Sequence, residues 1–217
     1  MRYWIKFAKT GKMIYIGHLD LVKVLQAAIR RADLPVVYSE GFNPHQKMSF
    51  ALPLSLGMAS VCEYMELHFQ GLADVFALNS HLPNGLEILA SYEIPEKTPK
   101  LASLLRAADY SCVFKTPPLY DKLEELKMAK EFKIMKKSKS GVNLVDVKPD
   151  IFHISYKENN LILRLSAGSK NNLNPNTLLE KLLPASENPK ITRQNMYTAS
   201  PDNKNLQNIE ATLTSKK

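Results

Sequence analysis

Residues 2–35 read RYWIKFAKTGKMIYIGHLDLVKVLQAAIRRADLP, and this stretch has the clearest pattern of secondary structure in the chain. Apolar and polar side chains alternate through residues 2–8, which is typical of a strand with one buried face. Between residues 21 and 32 the apolar side chains recur three and four positions apart, which predicts an amphipathic helix. Leu34-Pro35 ends that helix, because the residue before a proline disfavours helical backbone. The stretch therefore predicts a strand followed by a helix that packs on it.

The chain beyond this stretch continues the alternation of strands and helices. The predicted elements are short strands at 36–39 and 48–54, a strand at 63–70, a helix at 72–82 and a strand at 86–94. Together with the first strand and helix, this order fits a ferredoxin-like unit built on a split βαβ motif. Residues 95–100 (PEKTPK) are interpreted as a linker.

The second part of the chain repeats the theme more loosely. Its predicted elements are strands at 109–115, 132–137, 151–156, 160–165 and 191–197, and helices at 119–129 and 175–183. Asn174 is the predicted N-cap of the last helix, with Pro175 at the first helical position. The sequence thus predicts an α+β protein of two ferredoxin-like (split βαβ) units with antiparallel sheets packed by helices. The predicted divisions are a first unit at 1–97, a lysine-rich second unit at 98–198 and a loose polar tail at 199–217.

The composition of the 217 residues is that of a globular protein, with 45% hydrophobic and 23% charged side chains. No apolar run approaches the roughly 20 residues of a membrane span, and the N-terminal residues lack the apolar core of a signal peptide. Cys62 and Cys112 supply neither a disulfide framework nor a metal-ligand spacing. We therefore expect a soluble cytoplasmic protein with no membrane contact, no metal and no cofactor of its own.

The net charge of +8 is concentrated in the second part of the chain. Residues 1–100 hold ten basic and nine acidic side chains, whereas residues 101–217 hold nineteen and twelve. Within residues 127–139 six lysines surround the single acid Glu131; we call this stretch the lysine-rich segment. Such a stretch attracts phosphate backbones without reading their sequence, although a solvated surface is the alternative. The predicted contacts to an RNA backbone are Lys133, Lys136, Lys137 and Lys139.

Polar residues also gather around the start of the first helix. In a split βαβ unit, the helix start at 17–20 and the loop at 41–47 are expected at one end of the sheet, where free N–H groups favour an anion. The candidate catalytic residues there are His18, His45 and Asp20. The candidate substrate- or anion-binding residues are Asn43, Lys47, Arg30 and Arg31.

Each of these residues also has a structural interpretation. Asp20 could cap the helix, as in a capping box, and His18 could simply be packed at the helix start. Two histidines beside a phosphate could instead perform acid–base chemistry on RNA, or contribute to a metal site. The chain has none of the standard nucleotide-binding, serine-hydrolase or zinc-protease motifs. Whether the protein is an enzyme is therefore open.

The first seventy residues resemble a known bacterial family. The motifs that carry the resemblance are Gly11, Gly17-His18-Leu19-Asp20, Arg30-Arg31-Ala32-Asp33-Leu34-Pro35, Tyr38-Ser39-Glu40-Gly41-Phe42-Asn43-Pro44-His45, Phe50-Ala51-Leu52-Pro53-Leu54, Gly57 and Glu63-Tyr64. They are similar to the radical SAM-linked domain-of-unknown-function family, and a weaker similarity continues to Arg193. The family usually has Ser where Gly17 stands, Arg where Lys23 stands and often Pro where Gln46 stands.

The resemblance implies a partner rather than a reaction. Members occur beside, or fused to, a cobalamin-type radical SAM protein, and their genes often lie near those of ribosomal proteins and a ribonuclease. The expected function is an accessory RNA-binding or substrate-delivery partner of a radical SAM enzyme that modifies tRNA or rRNA. The alternatives are an RNA-processing or RNA-modifying enzyme that uses His18 and His45, and a protein-interaction scaffold that binds no RNA.

Overall fold

The computed structural model describes residues 1–118, 120–138, 141–169, 171–183, 188–200 and 205–214. Within these ranges the strands are β1 (Arg2–Lys9), β2 (Met48–Phe50), β3 (Ala59–His68), β4 (Leu86–Ile94), β5 (Leu105–Val113), β6 (Lys133–Ser138), β7 (Gly141–Asp146), β8 (Ile151–Lys157), β9 (Asn160–Ser166), β10 (Lys190–Ala199) and β11 (Leu206–Asn208). The helices are α1 (His18–Arg31), α2 (Leu101–Leu104), α3 (Tyr120–Met128), α4 (Pro175–Leu182) and α5 (Ile209–Thr214). Short 3₁₀ helices cover Gly11–Tyr15, Val75–His81 and Lys148–Asp150.

The first part of the chain forms four antiparallel strands in the order β4-β1-β3-β2. The apolar stripe of α1 packs on Ile5, Phe7 and Met65 of this sheet. The segment predicted as a helix at 72–82 is instead a 3₁₀ helix that begins after Asp74, whose carboxylate accepts a hydrogen bond from Phe76 N at 3.1 Å. Asp74 caps the segment at its start and Pro83 ends it, so the 3₁₀ helix is confined to Val75–His81.

A nine-stranded sheet continues across both parts of the chain, because β3 pairs with β10 in parallel. On the other side of β10, the strands β5, β9 and β8 follow in antiparallel order. The mixed α+β fold with a mostly antiparallel sheet and packed helices is therefore confirmed. The finer assignment to two ferredoxin-like units, with a division near residue 97, stays a prediction.

The second part packs its helices on a separate core. Leu123 of α3 and Leu178 of α4 are buried against Tyr110, Cys112 and Leu163 of the sheet. The predicted N-cap is present, since the Asn174 side chain accepts a hydrogen bond from Asn176 N at 3.0 Å. The strands β6 and β7 form a two-stranded sheet of their own.

Part of the tail that the sequence predicts as loose is ordered against the sheet. The strand β11 pairs with β10, and Ile209 at the start of α5 is fully buried. Lys6 Nζ and Glu210 Oε1 form an ion pair at 2.6 Å between the first strand and the last helix. None of the described helices is long and apolar enough to cross a membrane.

Candidate nucleic-acid interface

The predicted site at the start of α1 is held together by structural contacts. Gly17 is the N-cap and supplies no side-chain hydrogen bond, so Asp20 does not form the expected capping box. Asp20 instead pairs with Lys23 Nζ at 3.2 Å on the exposed side of the helix. The His18 ring lies edge-on to Phe50, with ring centroids 5.0 Å apart.

The loop from Gly41 to Lys47 forms the tip of a small hairpin. Tyr38 and Gln46 pair as an isolated antiparallel bridge, and Ser39 N donates to the His45 carbonyl at 2.8 Å. His45 Nδ1 lies 2.9 Å from Ser39 Oγ, so one ring nitrogen is engaged within the loop. The side chains of Asn43, His45 and Lys47 are exposed.

This loop does not meet the start of α1, which corrects the predicted edge cluster. Gln46 Nε2 donates to the Gln26 carbonyl at 3.3 Å, and Gln26 lies about 12 Å along the helix axis from His18 at 1.5 Å per residue. The prediction failed because residues 36–39 form only isolated bridges, Val36 with Phe69 and Tyr38 with Gln46, and the loop after them lies beside Gln26 and not beside His18. His18 and His45 are therefore not brought together.

The two predicted arginines lie on the last turn of α1, at the opposite end of the helix from His18. The Arg31 side chain donates to the His81 carbonyl at 2.8 Å and lines a shallow groove with Lys23. Arg30 is exposed. An anion-binding role for the two arginines therefore stays a prediction. In the described part of the chain, neither arginine is hydrogen-bonded to a predicted catalytic residue.

The lysine-rich segment is spread over α3, a turn and the β6–β7 hairpin. Several of its lysines already have partners: Lys127 with Glu124 at 2.8 Å, Lys133 with Glu131 at 2.9 Å, and Lys136 with the Asn172 carbonyl at 3.1 Å. Lys137 belongs to β6, and Lys139 lies outside the described residues. The lysine-rich segment is contiguous in sequence. Its described lysines nevertheless do not form one surface of unpaired charges.

A groove of about 650 Å³ lies where β3 and β10 join in parallel. We call it the junction groove; its walls are the 3₁₀ helix Gly11–Tyr15, the residues before β3, and the residues that begin β10 and α4. The side chain of Tyr15 is 71% exposed in this groove, and Leu56 is 62% exposed beside it. An exposed aromatic ring in a groove is a surface on which a nucleobase can stack.

Lys12 and Lys190 give the junction groove its charge. Both are exposed lining residues, and neither takes part in a salt bridge among the described residues. The lining includes no carboxylate within the described part of the chain. The two lysines therefore lie in a groove whose described lining carries no negative charge.

A buried charged cluster contacts one residue of the junction groove's lining. Arg193 Nη1 donates to Glu63 Oε1 at 2.9 Å, with both side chains buried, and also to the Leu52 carbonyl at 3.2 Å. Lys9 is only 1% exposed, and its Nζ donates to the carbonyl of the lining residue Ile14 at 3.3 Å. Burial lowers the pKa of the Lys9 amine, while Glu63 opposes this shift. The cluster therefore holds two buried cations and one buried carboxylate beside the groove.

The sequence gives only two weak indications of the junction groove, the turn at residues 9–12 and the apolar run at residues 13–16. Residues 9–12 indicate only a turn, and the apolar run at 13–16 does not distinguish the exposed Tyr15 from its buried neighbours. The 3₁₀ helix is held by a hydrogen bond from Gly57 N to the Ile14 carbonyl at 2.9 Å, and Gly57 has a φ of +82° that favours glycine. The parallel pairing of β3 with β10 has no local signal at all.

The described residues offer little for covalent or metal chemistry. No group of three or more His, Cys, Asp or Glu side chains among them could hold a metal ion. Burial raises the pKa of the Cys62 and Cys112 thiols to about 12, so neither is a nucleophile at neutral pH.

Known proteins match the chain at the level of a family. The family model of an uncharacterized protein conserved in bacteria (DUF2344) matches residues 2–175. No curated protein matches the chain significantly. The matched range includes Lys12, Tyr15 and Leu56 of the junction groove and ends before Lys190.

Proposed function

This chain belongs to the DUF2344 family of uncharacterized proteins conserved in bacteria, and we propose that it is an accessory protein that binds single-stranded RNA. The observation that carries the proposal is the junction groove, which combines two exposed lysines with an exposed tyrosine. Proteins that hold single strands use this combination of a basic groove and aromatic stacking surfaces. The RNA backbone would lie along the lysines, and one base would stack on Tyr15.

The side chains favour binding that does not depend on RNA sequence. Lysine acts as a point charge, whereas reading a base edge usually requires the two-pronged geometry of arginine, asparagine or glutamine. Asn176 and Asn188 also line the groove and can donate to the ribose and phosphate oxygens, which carry no sequence information. We expect the groove to bind different single strands with similar affinity.

The partner and the compartment are further parts of the proposal. The resemblance of the first seventy residues supports a radical SAM enzyme as the partner, and tRNA or rRNA as the delivered substrate, in the bacterial cytoplasm. The antiparallel order β4-β1-β3-β2 supports assigning a ferredoxin-like unit to the first part. The radical SAM partner and the ferredoxin-like assignment are both proposals, and the RNA-binding test examines neither of them.

The test is the affinity of the full chain for a short oligouridine, measured over a range of salt concentrations. Lys12→Gln with Lys190→Gln should weaken binding and reduce the slope of log K against log salt by about 0.7 for each phosphate that is no longer neutralised. Both side chains are exposed, so the free energy of unfolding should stay unchanged.

The matched control removes the same charge elsewhere. Lys97→Gln with Lys100→Gln lowers the net charge equally, at two exposed residues of the linker. This control should bind almost as tightly as the unmodified chain. Equal losses in both double variants would show that net charge, and not the junction groove, attracts RNA. No salt-dependent binding in any form of the chain would favour the protein scaffold.

A further inference from the structure

A second cavity, of about 380 Å³, lies where β5 begins and β9 ends. Among the described residues it shares no lining residue with the junction groove. The side chains of Arg106, Asp150, Phe152 and Ser166 contribute polar and aromatic groups to an otherwise largely apolar lining. A cavity of this size, apolar with a few convergent polar groups, has the composition of a small-molecule site.

The hydroxyl of Ser166 is the unexplained feature of this cavity. The residue is 4% exposed, and its Oγ is buried with no hydrogen-bond partner among the described residues. Buried hydroxyl groups are almost always hydrogen-bonded, because leaving one unpaired destabilises the fold. Ser166 lines the cavity, so a molecule held there could supply the missing hydrogen bond.

Asp150 adds a fixed acceptor to the same cavity. The residue is buried at the end of the 3₁₀ turn Lys148–Asp150, where its N–H donates to the Val147 carbonyl at 3.0 Å. The Asn171 side chain donates to Asp150 Oδ1, which orients the carboxylate. An ionised carboxylate only accepts hydrogen bonds, so the part of the ligand that faces it must present N–H or O–H donors.

Arg106 and Phe152 complete the chemistry that the cavity selects. Arg106 Nη1 donates to the carbonyls of Ser103 and Leu105, both at 2.9 Å, which holds the guanidinium in place. Its other N–H groups have no partner among the described residues, so they can bind an anion. The ring of Phe152 is 48% exposed at the cavity and can stack on a planar ring.

We propose that this cavity binds a guanine nucleotide, as one unstacked residue of the RNA strand. The inference rests on the proposed RNA binding. Guanine presents two adjacent N–H donors on its Watson–Crick edge, which match the two oxygens of Asp150. Phe152 covers the base, Ser166 bonds a remaining polar atom and Arg106 binds the phosphate. Single-stranded RNA is usually recognised through bases that leave the stack in this way.

The carboxylate distinguishes guanine from the other three bases. Adenine and cytosine each place only one donor group beside an acceptor nitrogen on that edge. Uracil places its single N–H between two carbonyl oxygens, which a carboxylate repels. The cavity should therefore prefer guanine even though the junction groove has no preference among bases.

The experiment compares GMP, AMP, CMP and UMP by calorimetric titration of the full chain. GMP should bind at least tenfold more tightly than each of the others. Asp150→Asn should remove this preference, since the amide replaces one acceptor by a donor. Asp74→Asn is the matched control, because asparagine caps the 3₁₀ helix as well as aspartate does, and it should keep the preference.

Each outcome either supports or overturns the site. Equal affinity for the four nucleotides, no binding up to millimolar concentration, or an unchanged preference in Asp150→Asn overturns it. If Asp150→Asn does not fold, Phe152→Ala at an exposed ring tests the same site and should weaken GMP binding. Oligouridine binding is measured in parallel on the full chain. If the chain binds GMP but no oligouridine, the proposed function alone is contradicted. If the chain binds oligouridine but shows no preference for GMP, this inference alone is contradicted.

Discussion

The junction groove and the lysine-rich segment carry the same kind of side chain in opposite arrangements. Lys12 and Lys190 come from distant parts of the chain, and the parallel pairing of β3 with β10 brings them into one groove with Tyr15. The lysine-rich segment is contiguous in sequence, yet Lys133 and Lys136 are engaged by nearby acceptors.

The difference shows that topology, and not the local density of charge, decides where cations can act together. Lys133 and Lys136, three residues apart on β6, lie on opposite faces of the strand, and each has its own partner. Two lysines at a strand junction line one concave surface, beside a buried cluster of two cations and one carboxylate. Substitutions in the two regions should therefore differ in their effects on stability and on RNA binding.

Arg193→Met should produce the largest effect, because it removes the partner of a buried carboxylate. Glu63 would remain buried without its ion pair, and breaking a buried pair in this way destabilises proteins by about 3–5 kcal/mol. The free energy of unfolding in urea measures the loss. A loss of unfolding free energy below about 1 kcal/mol would show that the ion pair contributes little to the fold beside the junction groove.

The double variant Arg193→Met with Glu63→Gln separates charge from packing. A neutral amide needs no ion pair, so the double variant should regain part of the lost stability. If the double variant is as unstable as the single one, the hydrogen bonds from Arg193 to the Leu52 and Pro53 carbonyls matter more than the ion pair.

Local patterns predict the elements well and their long-range arrangement poorly. The strand at 86–94 and the Asn174 cap agree with the structure, because alternation and capping depend on adjacent residues. The sequence misplaces the hairpin at 36–47, since its bridge residues give no periodic signal. The predicted pairing of His18 with His45 depends on that placement and fails with it. The junction groove depends on a pairing between distant residues, which one sequence does not reveal.

Tyr15→Ala should weaken oligouridine binding while leaving the fold intact. Base stacking on an aromatic ring contributes about 1–3 kcal/mol for each base, and Tyr15 is too exposed to contribute to the core. Tyr15→Phe keeps the ring and should bind like the unmodified chain. If Tyr15→Phe loses as much affinity as Tyr15→Ala, the hydroxyl and not stacking is responsible.

Lys9→Met tests the buried cation beside the groove through the pH dependence of the free energy of unfolding. Burial lowers the pKa of Lys9 from its ordinary 10.5, so the folded chain holds this proton less tightly than the unfolded chain. Between the two pKa values the unfolded chain therefore binds more protons, and raising the pH stabilises the folded state. Each tenfold weakening of proton binding corresponds to about 1.4 kcal/mol.

The measurement compares the free energy of unfolding of the unmodified chain and of Lys9→Met between pH 7 and pH 10. The difference should change in favour of the unmodified chain as the pH rises. Other groups titrate in both proteins and cancel in the comparison. A difference that is independent of pH would mean that Lys9 keeps its ordinary pKa in the fold.

The smallest effect is expected from Lys133→Gln, Lys136→Gln and Lys137→Gln in the lysine-rich segment. Lys133 and Lys136 already have partners in the protein, and charges farther than about 8 Å from bound RNA are screened at physiological salt. Binding should weaken uniformly across RNA sequences, with a fall in the salt slope below the roughly 0.7 of one neutralised phosphate. A fall as large as that of the Lys12 and Lys190 double variant would place the RNA backbone on the hairpin, and local charge density would then locate the site after all.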